Sequence, residues 1–317
     1  MPNPDLLKHS KQFEKKLIQL HEGIWSAVGF AASNVHMIEG IDSLTIIDTT
    51  ESTKAAENIL KEFRKISPKP IGRIIYTHSH RDHISGASVF AKRPRIPIIA
   101  SETFKSDLID LDNSTVSPNK SLERRTLAQF GIGLDSSDRV SLGCGPADRP
   151  MEGLGAGYLK PNKRISSNSE IDLDGITANL ILAPGETDDH LVVWLPNTQI
   201  LFSGDNWYHA FPNLYAIRGT PYRDFQAWAD SLTILANLKP NILAPGHTMP
   251  VFGQEKIHDV LKSTREAILY VIKYTSEGMN HGKSIDDICA DINLPKNLKT
   301  KPWLGEYYGK LTWAARA

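Results

Sequence analysis

Metal-binding side chains are concentrated in one short segment, residues 77–83, which reads Thr-His-Ser-His-Arg-Asp-His. Three imidazoles and one carboxylate fall within it, and such groups bind zinc, iron or manganese in proteins. His78 and His80 can face the same way on an extended tip, whereas Asp82 and His83 follow a turn and can address a second cation. The spacing therefore predicts a metal centre for two cations.

Two more candidate ligands follow apolar segments that are typical of strands. Asp205 comes one glycine after Ile200–Ser203, and His247 comes a Pro-Gly pair after Asn241–Ala244. Each residue alone has an ordinary explanation, because an aspartate after a strand is often the N-cap of a helix. Three ligand-bearing strand ends in one chain favour a shared site, in which Asp205 could bridge two cations.

The elements that must position these ligands alternate between strand and helix patterns. Leu44–Ile47 and Arg73–Thr77 are short β-branched runs and predict buried strands. Between them, apolar residues from Ala56 to Phe63 keep helical spacing after a Ser-Thr cap at residues 52–53. The remaining predicted strands are Pro97–Ala100, Ala178–Ala183, Leu191–Leu195, Ile200–Ser203 and Asn241–Ala244.

The second half of the chain adds helices and one long irregular stretch. Apolar residues predict an amphipathic helix from Phe225 to Leu235 and a longer helix from Ile257 to about Tyr274. We therefore expect a catalytic domain over residues 1–255 and a short helical extension over residues 256–317. Residues 112–169, rich in glycine and proline, predict a loop-rich insertion that covers the site and excludes bulk water.

Composition excludes several classes of protein. The chain has 317 residues with 36 Lys+Arg and 36 Asp+Glu, so it lacks the positive field that a nucleic-acid partner requires. Two cysteines fit a reducing compartment, and no uninterrupted apolar run of about 18 residues would span a membrane. The N-terminal segment lacks the apolar core of a secretory signal. The prediction is a cytoplasmic globular protein.

The motif at residues 78–83, the strand-end Asp205 and the Gly-His pair at residues 246–247 resemble the metallo-β-lactamase superfamily. The resemblance implies an α/β fold, the αββα sandwich, with a binuclear metal site at one edge. In most of that superfamily another histidine completes the first metal's ligands. At the expected place this chain offers Glu186, and His190 a few residues later is a competing candidate.

The glutamate narrows the resemblance to the alkylsulfatase branch, whose members hydrolyse alkyl sulfate esters. Segments at residues 184–186, 213–219, 280–282 and 306–309 agree with that branch. Asp205 departs from it, since close alkylsulfatases tend to have glutamate there, and so does the Trp-Leu-Gly-Glu stretch before the paired tyrosines, where the family often has arginine. Related alkylsulfatases continue beyond residue 317, so we do not expect a preference for long alkyl chains.

Carried over residue by residue, the resemblance implies two Zn²⁺ ions, with Fe or Mn as alternatives, around a bridging hydroxide that attacks the ester. It implies one metal on His78, His80 and Glu186, a second on Asp82, His83 and His247, and Asp205 as the bridge. Arg218 would bind the sulfate, since a planar guanidinium suits a tetrahedral oxyanion. The predicted catalytic residues are Asp82 and His281, the latter as general acid. Tyr307 and Tyr308 are expected to pack the helical extension.

Other functions stay open on the sequence. The same site could serve a β-lactamase, a lactonase or a thioesterase, and Arg218 distinguishes them because only an anionic substrate needs it. A carboxylate-rich site could hold iron and perform redox chemistry. A non-catalytic binding protein is disfavoured by the full ligand set, and an RNA-processing role by the charge balance. The expected partner is a small anionic ester, and exposed faces on the terminal helices would allow a homodimer.

Overall fold

A computed structural model describes residues 3–106 and 120–317 and contains two stacked β-sheets. The strands of the first sheet follow the order of the chain, and β1 to β4 are antiparallel neighbours whereas β4 to β7 are parallel. They are β1 Lys16–His21, β2 Ile24–Val28, β3 Val35–Glu39, β4 Leu44–Ile47, β5 Ile71–Ile75, β6 Ile98–Ser101 and β7 Lys163–Ile165.

The second sheet has the order β13-β12-β11-β10-β9-β8. Its β11 and β12 are parallel, and its other neighbours are antiparallel. The strands are β8 Ser169–Asp172, β9 Thr177–Leu182, β10 Leu191–Leu195, β11 Ile200–Gly204, β12 Ile242–Pro245 and β13 Val251–Phe252.

Helices cover the outer faces of both sheets. They are α1 Pro4–Ser10, α2 Thr53–Ile66, α3 Arg81–Ile84, α4 Ala87–Phe90, α5 Lys120–Gln129, α6 Phe225–Asn237, α7 Gln254–Asn280, α8 Ile285–Asp291, α9 Lys296–Lys299 and α10 Leu311–Arg316, with 3₁₀ turns at Lys11–Phe13 and Pro302–Leu304. The predicted cap of α2 is formed, since the Ser52 hydroxyl accepts the Ala55 amide hydrogen at 3.2 Å. No described helix combines the length and apolar character that a membrane crossing requires.

Three apolar layers hold the sandwich together. Ile75 of the first sheet and Phe202 of the second lie in the core between the sheets. Phe63 of α2 packs in the layer outside the first sheet, and Trp228 of α6 packs with Val271 of α7 outside the second. Burying these β-branched and aromatic side chains is the main favourable term in folding. The predicted αββα sandwich is confirmed.

The expected division into residues 1–255 and 256–317 stays a prediction. The helix α7 starts at Gln254 and shares one core with α6 outside the second sheet. Within the expected loop-rich insertion, residues 120–129 form α5 and residues 163–165 form an edge strand of the first sheet. Residues 112–119 of that insertion lie outside the described residues.

The parallel strand pairs position the site. Since parallel strands end at the same edge of a sheet, the residues that follow β4 and β5 lie side by side, as do those that follow β11 and β12. A backbone hydrogen bond of 2.6 Å from the Asn34 amide to the Gly246 carbonyl joins this edge of the second sheet to the turn before β3. Both sheets therefore deliver side chains to one end of the sandwich.

Candidate metal centre and substrate cleft

A buried aspartate organises the histidine-rich loop. Asp48, directly after β4, accepts hydrogen bonds of 2.8 Å from both the backbone amide and the hydroxyl of Thr77. One of its oxygens also lies 2.8 Å from Nδ1 of His83, which leaves Nε2 of that ring to face the site. Such a carboxylate–histidine contact orients a ring for metal binding. Asp48 was not predicted from the sequence, although a carboxylate at a predicted strand end was an available signal.

One of two ligand clusters consists of Asp82, His83 and His247, whose ligand atoms lie within 4.8 Å of one another. Nε2 of His247 is 3.3 Å from an oxygen of Asp82 and 3.4 Å from Nε2 of His83. The other nitrogen of His247 lies 2.8 Å from the Ala32 carbonyl oxygen, to which it donates. The three donors therefore converge, and outer partners set the tautomers of the two histidines.

The other cluster consists of His78, His80 and Asp205, again within 4.8 Å. Nδ1 of His78 lies 3.0 Å from the Thr77 hydroxyl. Its Nε2 is buried without a hydrogen-bond partner among the described residues and lies 3.6 Å from an Asp205 oxygen. A buried polar atom without a partner is costly, and a cation between these donors would satisfy it.

Asp205 lies between the two clusters. The same carboxylate oxygen is 3.6 Å from Nε2 of His78, 3.3 Å from Nε2 of His83 and 3.2 Å from Nε2 of His247. Gly246 allows this approach, since a side-chain carbon there would overlap the Asp205 carboxylate. The arrangement matches the bridging position that the resemblance implied, and imidazole with carboxylate is a donor set that suits zinc, iron or manganese.

Charges in the site are strongly coupled. Burial alone would lower the pKa of His83 and His247, but neighbouring carboxylates, Asp205 first among them, raise both well above the ordinary value. Burial would raise the pKa of Asp205, and the facing imidazoles instead hold it well below its usual range. The site thus concentrates negative charge among nitrogen donors, which favours a bound cation.

The structure brings Glu186 to the site but pairs it with an arginine. One Glu186 oxygen lies 2.9 Å from Nη1 of Arg223 and 3.9 Å from Nδ1 of His80. The other oxygen is buried and has no hydrogen-bond partner within the described ranges. The competing candidate His190 stacks on His78 at 4.6 Å, and its Nε2 lies 3.0 Å from the Ser203 carbonyl. His190 therefore packs against the ring of His78 and helps to hold it in position.

Beside the clusters lies a cleft of about 430 Å³. Arg218 lines it and donates from Nη1 to the Gln129 side-chain oxygen at 3.2 Å and to the Tyr308 hydroxyl at 3.1 Å. Its guanidinium carbon lies 5.4 Å from the centre of the Phe130 ring, a cation–π contact. We call Phe130, Arg218 and Tyr308 the cleft wall. His80 and Asp82 line the same cleft, so the wall faces the metal centre.

Tyr308, Tyr307 and His281 lie at different distances from the cleft. Tyr308 was expected only to pack the helical extension, but it contacts Arg218 and lines the cleft, because the segment after the last 3₁₀ turn folds back over the site. Tyr307 stacks on His9 at 4.0 Å. His281 is exposed at the end of α7, where its Nδ1 lies 2.6 Å from the Glu277 carbonyl. It is not among the residues described as lining the cleft.

Arg223 and Glu51 also belong to the site and were missed from the sequence. Glu51 forms a 2.7 Å ion pair with Arg149 on the cleft surface and accepts the Ala32 amide hydrogen at 2.9 Å. Isolated charged residues in loops carry no periodic or strand-end signal, so only the tertiary structure reveals these buried pairs.

The family model described as the metallo-beta-lactamase superfamily matches residues 28–247. That range holds all seven predicted ligands, and the chain belongs to this superfamily.

Within the superfamily, the chain is similar to alkylsulfatases. It is 33% identical over 287 residues to the linear primary-alkylsulfatase of Pseudomonas sp. (strain ATCC 19151), covering 88% of this chain and 54% of that protein. It is 29% identical over 312 residues to the alkyl/aryl-sulfatase BDS1 of Saccharomyces cerevisiae, covering 95% of this chain and 48% of that one. The chain thus spans about half the length of the curated relatives it matches.

Solved structures agree on the fold. A double mutant of the sec-alkyl sulfatase PisA1 superposes with a TM-score of 0.87 at 25% identity, covering 99% of this chain and 51% of the other. A metallo-beta-lactamase family protein from Thermus thermophilus superposes with a TM-score of 0.59 at 16% identity, covering 93% and 92%. The predicted resemblance to alkylsulfatases of this superfamily is confirmed.

Proposed function

We propose that this chain hydrolyses sulfate esters of small alcohols with two divalent cations, zinc in the first instance. The observation that carries the proposal is the position of Arg218, whose guanidinium lines the same cleft as the ligands His80 and Asp82. A neutral substrate would have no use for a half-buried cation at that place, whereas a sulfate ester carries an anionic head. The names of the alkylsulfatase relatives support the same substrate class.

The cleft wall can bind and orient that head. Nη1 of Arg218 donates to both Gln129 and Tyr308, and the guanidinium also lies over the Phe130 ring, which together hold it in place. Burial raises the pKa of the Tyr308 hydroxyl above its ordinary value, so the phenol stays protonated. Because its oxygen accepts from Arg218, the phenol hydrogen is free to donate to a substrate oxygen. Two charge-assisted contacts of this kind favour an oxyanion over a neutral carbonyl.

The remaining site residues hold the cations. His78, His80, Glu186, Asp82, His83, His247 and the shared Asp205 are the proposed ligands. Bound at this site, two cations would lower the pKa of a water molecule and neutralise charge on the ester. Asp82, between Nε2 of His83 and Nε2 of His247 at 3.6 and 3.3 Å, is placed to keep these two rings aligned. The general-acid role of His281 stays a prediction, as do the homodimer and the cytoplasmic location.

A substrate panel tests the proposal. Zinc-loaded protein is assayed with a short and a long alkyl sulfate, a cephalosporin, a lactone and a thioester. We expect turnover of the short alkyl sulfate at the highest kcat/KM, and loss of nearly all turnover in His80→Ala together with loss of metal. Preference for the cephalosporin, lactone or thioester would overturn the sulfatase assignment. Full activity of metal-free protein would overturn the role of the cations.

A further inference from the structure

The ion pair between Arg223 and Glu186 is buried at the edge of the metal centre. Arg223 is 4% exposed and Glu186 is 2% exposed. Besides its 2.9 Å contact with Glu186, Nη1 of Arg223 donates to the Asn213 carbonyl oxygen, which fixes the guanidinium. Its Nη2 is buried without a hydrogen-bond partner among the described residues. A buried pair of this kind is rigid, because separating it would leave an uncompensated charge out of water.

This pair ties one oxygen of Glu186 to Arg223 beside the cluster of His78, His80 and Asp205. The donor atoms that lie within 4.8 Å of one another belong to His78, His80 and Asp205, and Glu186 is outside that group. The Glu186 oxygen nearest to His80 is also the one that Arg223 occupies. A cation at this cluster would therefore meet two imidazoles, the shared Asp205 and the free oxygen of a Glu186 carboxylate whose charge Arg223 partly neutralises.

Arg223 also places a positive charge beside the same cluster. Its Nη1 lies 2.9 Å from the same Glu186 oxygen that is 3.9 Å from Nδ1 of His80. A guanidinium this close disfavours a divalent cation at His80, because like charges repel strongly in a buried site. The other cluster has the opposite surroundings, since the Asp48 carboxylate lies against His83.

We propose that Arg223 makes the two cation sites unequal, so that the site of Asp82, His83 and His247 binds tightly and the site of His78 and His80 binds weakly. This inference rests on the proposed two-cation function and deepens it. Arg223 is a positioning residue here, acting through Glu186. The weaker site would exchange its cation with solvent. Its occupancy would set the fraction of the protein that can hydrolyse the ester.

Calorimetric titration of metal-free full chain with Zn²⁺ tests the inequality. We expect two classes of site, one cation each, with dissociation constants at least about tenfold apart, which corresponds to about 1.4 kcal/mol. His78→Ala should remove the weak class and keep the tight one. Two equal sites, or loss of the tight class in His78→Ala, would overturn the inference. A single cation in total would overturn the two-cation proposal with it.

Variants at the ion pair test the cause. Arg223→Met should tighten the weak class at least about tenfold by releasing Glu186 and removing the repulsion, and the double variant Glu186→Gln/Arg223→Met should lose most of that gain. Arg316→Met is the control, because it removes an arginine from an ion pair with Asp286 of α8, away from the cleft, and should leave both constants unchanged. An unchanged weak class in folded Arg223→Met would overturn the role of Arg223.

The experiment is independent of turnover. Circular dichroism checks that Arg223→Met folds, and Arg223→Lys, which keeps the charge and loses the planar fork, gives a second variant with an expected intermediate tightening. Should both variants fail to fold, the wild-type isotherm and His78→Ala still decide whether the sites are unequal. Failure of the sulfatase proposal would appear only in the substrate panel and would leave these isotherms as they are.

Discussion

The metal centre and the cleft wall face each other across one cleft but are built in opposite ways. The proposed ligands of the metal centre follow β5, β9, β11 and β12, and outer partners such as Asp48 and the Ala32 carbonyl fix the histidine rings. The cleft wall is assembled from the end of α5, the loop after β11 and the segment before α10. Its members are held by contacts such as that between Arg218 and Tyr308, 90 positions apart.

In the proposed function, the metal centre binds the cations and the cleft wall selects the substrate. Strand ends are fixed by the register of two sheets, so the ligands can be positioned within tenths of an ångström by the fold itself. The cleft wall depends on side chains from three distant segments, and changing one of them alters the shape of the cleft without disturbing the sheets. We therefore expect substitutions in the two regions to have separable effects.

The largest effect should come from removing a ligand of the tight cluster. His247→Ala removes a nitrogen that lies 3.2 Å from the shared Asp205 and 3.3 Å from Asp82. Turnover of an alkyl sulfate should fall about 1,000-fold or more, since the cations supply several kcal/mol of charge stabilisation. Metal analysis should show at least one cation lost. Retained metal with lost turnover would mean that His247 acts in another way.

A smaller effect is expected from the cleft wall. Arg218→Met should lower kcat/KM for an alkyl sulfate about 100-fold, because an oxyanion loses its charge-assisted donor. The metal content should stay the same, and hydrolysis of a neutral ester should hardly change. Arg218→Lys, which keeps the charge without the planar fork, should fall between. Loss of metal in Arg218→Met would contradict the expectation that the two regions can be changed separately.

Asp48→Asn should affect the metal centre through its outer partners. The substitution keeps the shape of the side chain but removes the charge that orients His83 at 2.8 Å. Outer partners of this kind are worth about 10- to 100-fold in metal affinity. Titration with Zn²⁺ should show the tight class weakened by that factor, while KM for the ester at saturating zinc changes little. An unchanged tight class would show that the orientation of His83 comes from the sheets alone.

The smallest effect concerns acid stability behind the cleft wall. His9 donates toward the Gly143 carbonyl at 2.8 Å and stacks on Tyr307, and burial lowers the pKa of its imidazole to about 4. The unfolded chain binds a proton near its ordinary value of 6.5, so the unfolding free energy should fall as pH drops below 6.5 toward 4 and stay level above. The loss between pH 7 and 5 should be on the order of 1–2 kcal/mol.

Chemical denaturation at several pH values measures this loss. His9→Gln should lower the stability at neutral pH through the lost stacking but reduce the loss on acidification. An identical acid loss in wild type and His9→Gln would assign it to other groups.

The fold could be predicted from the sequence where the signal is local, and the same local signals led to the proposed ligands. The strand Leu44–Ile47 and the start of α2 were predicted within a residue, because short β-branched runs and a Ser cap specify them. The strand β1 was missed because it lies at an edge of the sheet with mostly exposed or half-exposed side chains, and its pattern does not alternate clearly. The short edge strands β7, β8 and β13 were missed for the same reason. The strands β2 and β3 are largely buried and were missed because polar residues such as Ser26 and His36 interrupt their apolar runs.

Residues that act through distant partners were beyond sequence reasoning. Glu186 was predicted to be a ligand from the family resemblance, but its pairing with Arg223 depends on how the loop after β11 folds across the site. Tyr308 was interpreted as packing, since nothing in a pair of tyrosines near a chain's end indicates a guanidinium 3.1 Å away. Interactions between segments that are far apart in sequence need the folded structure.

The glycine at position 246 sets a limit on how this site can vary. Its backbone is pressed against Gly204 and lies so close to the imidazole of His83 that a methyl group there would stand 2.8 Å from Cε1. Because the protein is closely packed at Gly246, the Asp205 carboxylate reaches its three nitrogen neighbours with the shortest acidic side chain. A side chain at position 246 would displace that carboxylate and the turn after β11, so the glycine preserves the position of Asp205.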